Sequence, residues 1–191
     1  MRKLVITENM TLDGVIDMAE GWFDPLNENV DQSDITAANT EHREEADALL
    51  VGRHTFETFR DFWPKQTNDP TGVSRYLNTV DKYVVSSTLN DPGWQNTKVL
   101  RGRLVDEVQA LKEAPGRDIV ATGSIQLVHA LIAANLVDEY RLFVFPVVIG
   151  HGARLFDSAR AALELLEVRP FVSGAVLLRY STPSSTSSGT P

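Results

Sequence analysis

The run Leu49-Leu50-Val51-Gly52-Arg53-His54-Thr55-Phe56-Glu57 carries the strongest chemical signal in the chain. An apolar strand ends at a glycine, a cation follows, and a hydroxyl residue opens a helix. Free backbone N–H groups and the positive end of the helix dipole make such a turn an anion site, and Arg53 adds a planar fork suited to phosphate. An ordinary strand-to-helix turn with Thr55 as N-cap is the competing account. A second run, Asp118-Ile119-Val120-Ala121-Thr122-Gly123-Ser124, repeats the logic: Gly123 permits close backbone approach, and Ser124 can cap the next helix or touch a phosphate oxygen. A third strand ends in hydroxyls at Ser86-Ser87-Thr88. If these three strands are neighbours, their ends point one way and together suggest a dinucleotide phosphate site. None is a G-x-G-x-x-G fingerprint, so a Rossmann domain is not supported.

Other chemistry-bearing residues are weaker signals. Thr11-Leu12-Asp13-Gly14 follows the first predicted strand and reads as a turn, and Gly21-Trp22-Phe23 sets two aromatics in a loop that could close over a flat ring or simply join the core. His42, flanked by Glu41, Glu44 and Glu45, is expected on a solvated helix face. His129 lies between apolar neighbours and is expected to be a satisfied structural group, while His151 sits between Gly150 and Gly152 in a loop. No pair has metal-ligand spacing, and no metal is expected.

These residues must be positioned by short β-branched runs at Lys3–Glu8, Ala48–Val51, Lys82–Ser86, Thr97–Leu100, Ile119–Ala121, Glu139–Phe145, Leu163–Arg169 and Ala175–Tyr180. Apolar stripes at Leu104, Val105, Val108 and Leu111, and at Leu127, Leu131 and Ala134, predict two amphipathic helices. Weaker helices are predicted at Ile35–Glu45, polar almost all round and dependent on packing, and at Thr55–Phe59. Strand–helix alternation predicts a largely parallel sheet with helices on both faces. A hairpin turn at Ser173-Gly174 adds antiparallel strands at one edge, and the whole is a three-layer α/β/α domain of about eight strands. In such sheets ligands sit outside the carboxyl ends of the strands.

Composition bounds the partners. A chain of 191 residues, 42% hydrophobic and 23% charged, fits one globular domain. Eighteen Lys and Arg against 26 Asp and Glu leave a net charge of −8, which disfavours nucleic acid and anionic membrane. The absence of cysteine excludes disulfides, iron–sulfur clusters and thiol nucleophiles and suits a reducing compartment. The first residues turn acidic too early for a signal peptide, and no long apolar run occurs, so a cytoplasmic protein is expected. Residues 1–181 are expected to form the domain, and the Ser/Thr/Pro-rich stretch 182–191 a mobile tail.

The order of Thr11-Leu12-Asp13-Gly14, Gly52-Arg53-His54-Thr55, Ser86-Ser87, Gly123-Ser124 and Leu136-Val137-Asp138-Glu139, followed by Pro146-Val147-Val148-Ile149-Gly150, resembles the dihydrofolate-reductase-like family. It is most similar to the reductase domain of the bacterial riboflavin-biosynthesis deaminase-reductase, over about residues 1–180. The resemblance implies an NADPH site. Arg53 would meet the 2′-phosphate, His54 and Thr55 the adenosine-side phosphates, and Ser86 and Ser87 the adenine ribose region. Gly123 and Ser124 would lie against the pyrophosphate, and Thr11, Leu12, Asp13 and Gly14 would line the nicotinamide. It also implies a homodimer. No zinc-deaminase signature is present, so the chain corresponds at most to the reductase half.

The expected activity is NADPH-dependent reduction of a small heterocyclic or carbonyl-type substrate, similar to the pyrimidine reduction of riboflavin biosynthesis. Asp34 is the candidate proton donor. The alternative is a nucleotide-binding module that keeps the fold without turnover. A carboxylate inside a cleft walled by residues 31–45, Trp22 and Phe23 favours catalysis; a filled cleft favours binding.

Overall fold

Strand–helix alternation becomes an eight-stranded sheet in the computed structural model, which describes residues 1–18, 21–24, 30–157 and 162–183. The strands are β1 (Leu4–Thr11), β2 (Ala46–Gly52), β3 (Asp81–Val85), β4 (Thr97–Leu100), β5 (Asp118–Ala121), β6 (Glu139–Phe145), β7 (Glu164–Pro170) and β8 (Val176–Ser181). Their order is β4-β3-β2-β5-β1-β6-β8-β7. The first six run parallel, and β8 pairs antiparallel with both β6 and β7. The β7–β8 turn closes as expected, with the Phe171 N–H donating to Ala175 O at 2.9 Å and Gly174 at φ +85°.

Helices α4 (Leu104–Glu113) and α5 (Ile125–Ala133) cover one face, burying Val108, Leu111, Leu127 and Leu131 against Leu4, Ile6, Leu50 and Ile119. The other face carries α1 (Ser33–Glu44), α2 (Arg53–Phe62) and α3 (Val73–Thr79). There Phe56 and Leu77 pack on Leu49, Val51 and Val84, while Ile35 and Ala38 pack on Phe143 and Leu177. Parity explains the division: successive strand residues point to opposite faces.

Two departures from the sequence reading concern this second face. The polar helix α1 is held by packing as expected, but His42 belongs to its buried stripe with Ile35 and Ala38 and is not on a solvated face. The spacing 35, 38, 42 is helical, so one stripe carries all three inward. Helix α3 was not legible as an apolar repeat; it is started by Asp69, whose carboxylate accepts the N–H groups of Thr71 at 2.8 Å and Ser74 at 2.7 Å. Phe143 of β6 is core.

Thr182 is pinned beside β8, its N–H donating to Asp138 O at 3.0 Å, and residues 184–191 of the expected tail lie outside the described residues.

Candidate active site

Strands β3, β2 and β5 are neighbours, so the three polar strand ends do point one way. Beyond them β5 stops at Ala121, level with Ile6 of β1, whereas β1 continues to Thr11 paired only with β6. A strand that outruns its neighbour leaves one edge open, and a cavity of about 1460 Å³ occupies the crevice. Gly52, Arg53, His54, Thr55, Ser86, Ser87, Gly123 and Ser124 all line it.

Two turns build its floor by clasping each other. The Gly52 N–H donates to Ser124 Oγ at 2.8 Å, and the Ser124 N–H donates to Thr55 Oγ1 at 2.9 Å. Neither hydroxyl caps its own helix: α2 begins at Arg53 with Gly52 at the N-cap, and α5 has no side-chain cap bond. The expected Thr55 cap is therefore replaced by a cross-strand tie. Gly123 sits at φ +57°, and a Cβ there would lie 3.1 Å from Thr55 Cγ2. The turn is thus left-handed and tight against its neighbour, a position for glycine on both counts. Arg53 stands at the mouth with its side chain about half exposed, 3.5 Å from Glu57.

The Thr11–Gly14 segment is drawn into a different arrangement. Asp13 accepts from Thr11 Oγ1 at 2.7 Å and from the Gly150 N–H at 2.8 Å. These bonds, Thr11 first, hold its carboxyl down at about 2. Thr11 Oγ1 in turn accepts the Val15 N–H. Thr11, Leu12, Asp13 and Gly14 do not line the cavity; the residues just after them, Ile16, Asp17 and Met18, do. Asp34 is also off the cavity wall. Its two oxygens accept the N–H groups of Ile35 and Val172, each at 2.8 Å, tying the start of α1 to the β7–β8 turn.

The rest of the cavity wall is unlike a closed core. Thr7 Oγ1, Glu8 Oε1, both His42 ring nitrogens and the Tyr76 hydroxyl are buried on it without a hydrogen-bond partner among the described residues. Burial, reinforced by Arg141, Arg179 and Arg169 behind it, pushes His42 down to about 3, so it is neutral. Burial pushes the Tyr76 hydroxyl up to about 12 and Glu8 well above the ordinary carboxyl range, although the Gly123 N–H opposes the latter. Buried polar groups normally find partners, so an unpaired set on a cavity wall marks a surface shaped for a polar ligand. Phe23 completes the wall, in edge contact with Phe145 at 5.1 Å.

Sequence reasoning passed over Glu8 and Tyr76 and misplaced His42. A signal for Glu8 existed: in the alternation Leu4, Ile6, Glu8, Met10 it stands on the apolar face. Among the described residues no cluster of His, Asp and Glu could hold a metal ion, and no helix is long and apolar enough to cross a membrane.

With this geometry in hand, the comparisons place the chain. Residues 2–177 match the RibD C-terminal domain, and the chain belongs to that family, the reductase domain of RibD. It is 31% identical over 183 residues to the uncharacterized protein YyaP of Bacillus subtilis strain 168, covering 94% of each chain. Among solved structures, a candidate riboflavin biosynthesis protein from Shewanella sp. PV-4 aligns with a TM-score of 0.71 at 20% identity, over 95% of this chain and 99% of that one. A pyrimidine reductase-like protein from Corynebacterium diphtheriae aligns with a TM-score of 0.67 at 15% identity, over 96% and 92%. These likenesses agree with the eight-stranded fold closed by an antiparallel hairpin.

Proposed function

We propose that the protein is an NADPH-dependent reductase of a small, flat heterocyclic or carbonyl-type substrate. The observation that carries this reading is the clasp of Gly52, Thr55 and Ser124 beneath the left-handed Gly123, at the open ends of three parallel strands. A phosphate-bearing dinucleotide fits these residues. The turns offer backbone close approach and the start of α5, Arg53 offers a planar cation at the mouth, and the crevice is large enough for an extended ligand.

Arg53 would hold the 2′-phosphate, His54 and Thr55 the neighbouring phosphates, Ser86 and Ser87 the ribose, and Gly123 and Ser124 the pyrophosphate. The Thr11–Gly14 turn would support the nicotinamide end from behind Ile16. The cofactor supplies a hydride when bound, and the protein supplies position and exclusion of water. Family membership and the pyrimidine reductase-like neighbour support the same reading. A homodimer is part of the proposal, supported by the exposed apolar residues Leu165, Leu166, Val168 and Val172 of edge strand β7 and its turn.

The test is direct, because Trp63 lines the cavity and its emission reports binding. Titration with NADPH should quench emission, and Arg53→Ala should weaken NADPH by about tenfold or more while leaving NADH little changed. Equal effects on both cofactors would remove the 2′-phosphate role, and no binding of either would remove the reading. A nucleotide-binding module without turnover is the second reading, favoured by the engagement of both Asp34 oxygens away from the cavity. A turnover screen with pteridine and pyrimidine substrates separates the two, and Asp34→Asn tests the proton-donor role.

A further inference from the structure

Glu8 stands where β1 outruns β5. Its register partner on β6 is Leu142, and the last β1–β5 pair lies two residues back at Ile6 and Ala121. The side chain is 3% exposed and lines the cavity, the Gly123 N–H is directed to its carboxyl group, and Oε1 has no partner among the described residues.

The charges on the surrounding elements are engaged elsewhere. Arg141 of β6 is the register partner of Thr7, so it lies on the opposite face of the sheet, where it bonds Glu139 at 2.8 Å. His129 of α5 bonds the Arg154 carbonyl at 2.7 Å, and Arg154 Nε donates to the Asp13 carbonyl at 3.0 Å. From the facing turn Arg53 pairs with Glu57. The other carboxyl on the cavity wall is Asp17, in the loop after β1. A carboxylate buried to this degree with no cation bonded to it among the described residues is disfavoured as the anion, whereas a neutral carboxylic acid accepts one N–H and keeps one O–H to donate.

We propose that Glu8 is a ligand-binding residue that acts as a neutral carboxylic acid, donating its O–H to an oxygen of the pyrophosphate group seated against the Gly123–Ser124 turn. This rests on the reductase reading. It explains why an acidic side chain is tolerated beneath an anion site: protonated, it adds a donor where a carboxylate would repel the phosphate. It also assigns a reason for the unpaired Oε1 that packing alone does not supply.

The experiment uses the full chain with Glu8→Gln, which keeps a neutral donor, and Glu8→Leu, which keeps neither donor nor acceptor; circular dichroism checks that both fold. Infrared difference spectra of wild type minus Glu8→Gln, without ligand at pH 7, should show the C=O stretch of a protonated carboxyl group. Tryptophan-emission titrations should show Glu8→Leu weakening NADPH about tenfold, with Glu8→Gln within about threefold of wild type. The same pattern should hold for 2′-phospho-ADP-ribose, which lacks the nicotinamide. Absence of the protonated band, or Glu8→Leu binding as tightly as wild type, overturns the role of Glu8. An effect confined to NADPH overturns the pyrophosphate assignment. Failure of the wild type to bind either ligand overturns the reductase reading itself, an outcome distinct from the others.

Discussion

Two buried polar clusters adjoin β1 and are finished differently. Under the end of α1, Arg141 reaches Glu139 at 2.8 Å, Glu45 at 2.8 Å and Asp118 at 3.2 Å, and Arg179 joins Glu139 at 2.7 Å to Glu167 at 3.2 Å. Among the described residues, Arg141 Nη1 is the one buried side-chain atom of this cluster without a hydrogen-bond partner. Along the crevice, Thr7, Glu8, His42 and Tyr76 present buried atoms with no partner among the described residues. The first cluster is almost wholly partnered by protein groups and reads as structure; the second leaves polar atoms for the ligand proposed above. Burial is common to both, and partner satisfaction separates them.

The comparison can be broken at the structural cluster first. Arg141→Ala removes the cation shared by Glu139, Asp118 and Glu45 and leaves Glu139, which is 1% exposed and held at about 2 against the cost of burial, to Arg179 and Lys3. Removing one partner of a buried pair costs about 3–5 kcal/mol, so urea denaturation should show a loss of that size, with a midpoint fall on the order of 10 °C in thermal melts. A loss below about 1 kcal/mol would mean the network is solvated.

The pH dependence of stability separates the clusters next. His42 is depressed to about 3 in the folded state from an ordinary value of 6.5, so between those limits the unfolded chain binds more protons and stability falls as pH falls. Glu139, depressed from 4.5 to about 2, adds a further loss only at lower pH, as its unfolded form takes up protons first. The raised Glu8 opposes this, because its folded form binds a proton first, so the His42 contribution, on the order of a few kcal/mol between pH 6.5 and 3, is read as the difference between the wild-type and His42→Leu profiles. His42→Leu should flatten the upper part of that window and leave the acid limb. Identical profiles would place His42 in contact with water.

On the cavity side, Gly123→Ala forces a side chain into a left-handed turn 3.1 Å from Thr55 Cγ2. A stability loss of about 1–2 kcal/mol and a tenfold or greater loss of NADPH affinity are expected, read by denaturation and emission titration. Ser124→Ala removes the bond from the Gly52 N–H and should cost about 1 kcal/mol; Thr55→Val removes the bond from the Ser124 N–H, and a double-mutant cycle measures whether the two halves of the clasp cooperate. The smallest change is expected at Asp34→Ala, about 0.5–1 kcal/mol, through the lost bonds to Ile35 and Val172.

Much of this was legible in the residues because the signals were local. Among the described residues, the eight strands and four of the five α-helices follow from alternation, helical spacing and turn chemistry, and the phosphate-type turns follow from glycine and hydroxyl residues at strand ends. Helix α3 escaped because Asp69 and Thr71 start it while only Ser74 and Leu77 are buried in it. His42 escaped because its charged neighbours in sequence are not its neighbours in space; Phe143 is, at 6.0 Å between ring centroids. Thr55 and Ser124 were identified as phosphate-turn residues, but each hydroxyl serves the other's strand end.

The sequence by itself determined the α/β class, the antiparallel closing hairpin and the residue types gathered at three strand ends, since each depends on contacts between residues close along the chain. Only the tertiary structure decided which polar groups were satisfied. Whether Glu8 faces a cation or a lone N–H, and whether Asp34 faces a cleft or a turn, depends on strand order and on β1 outrunning β5. Those are relations between segments more than a hundred residues apart, and no local pattern encodes them.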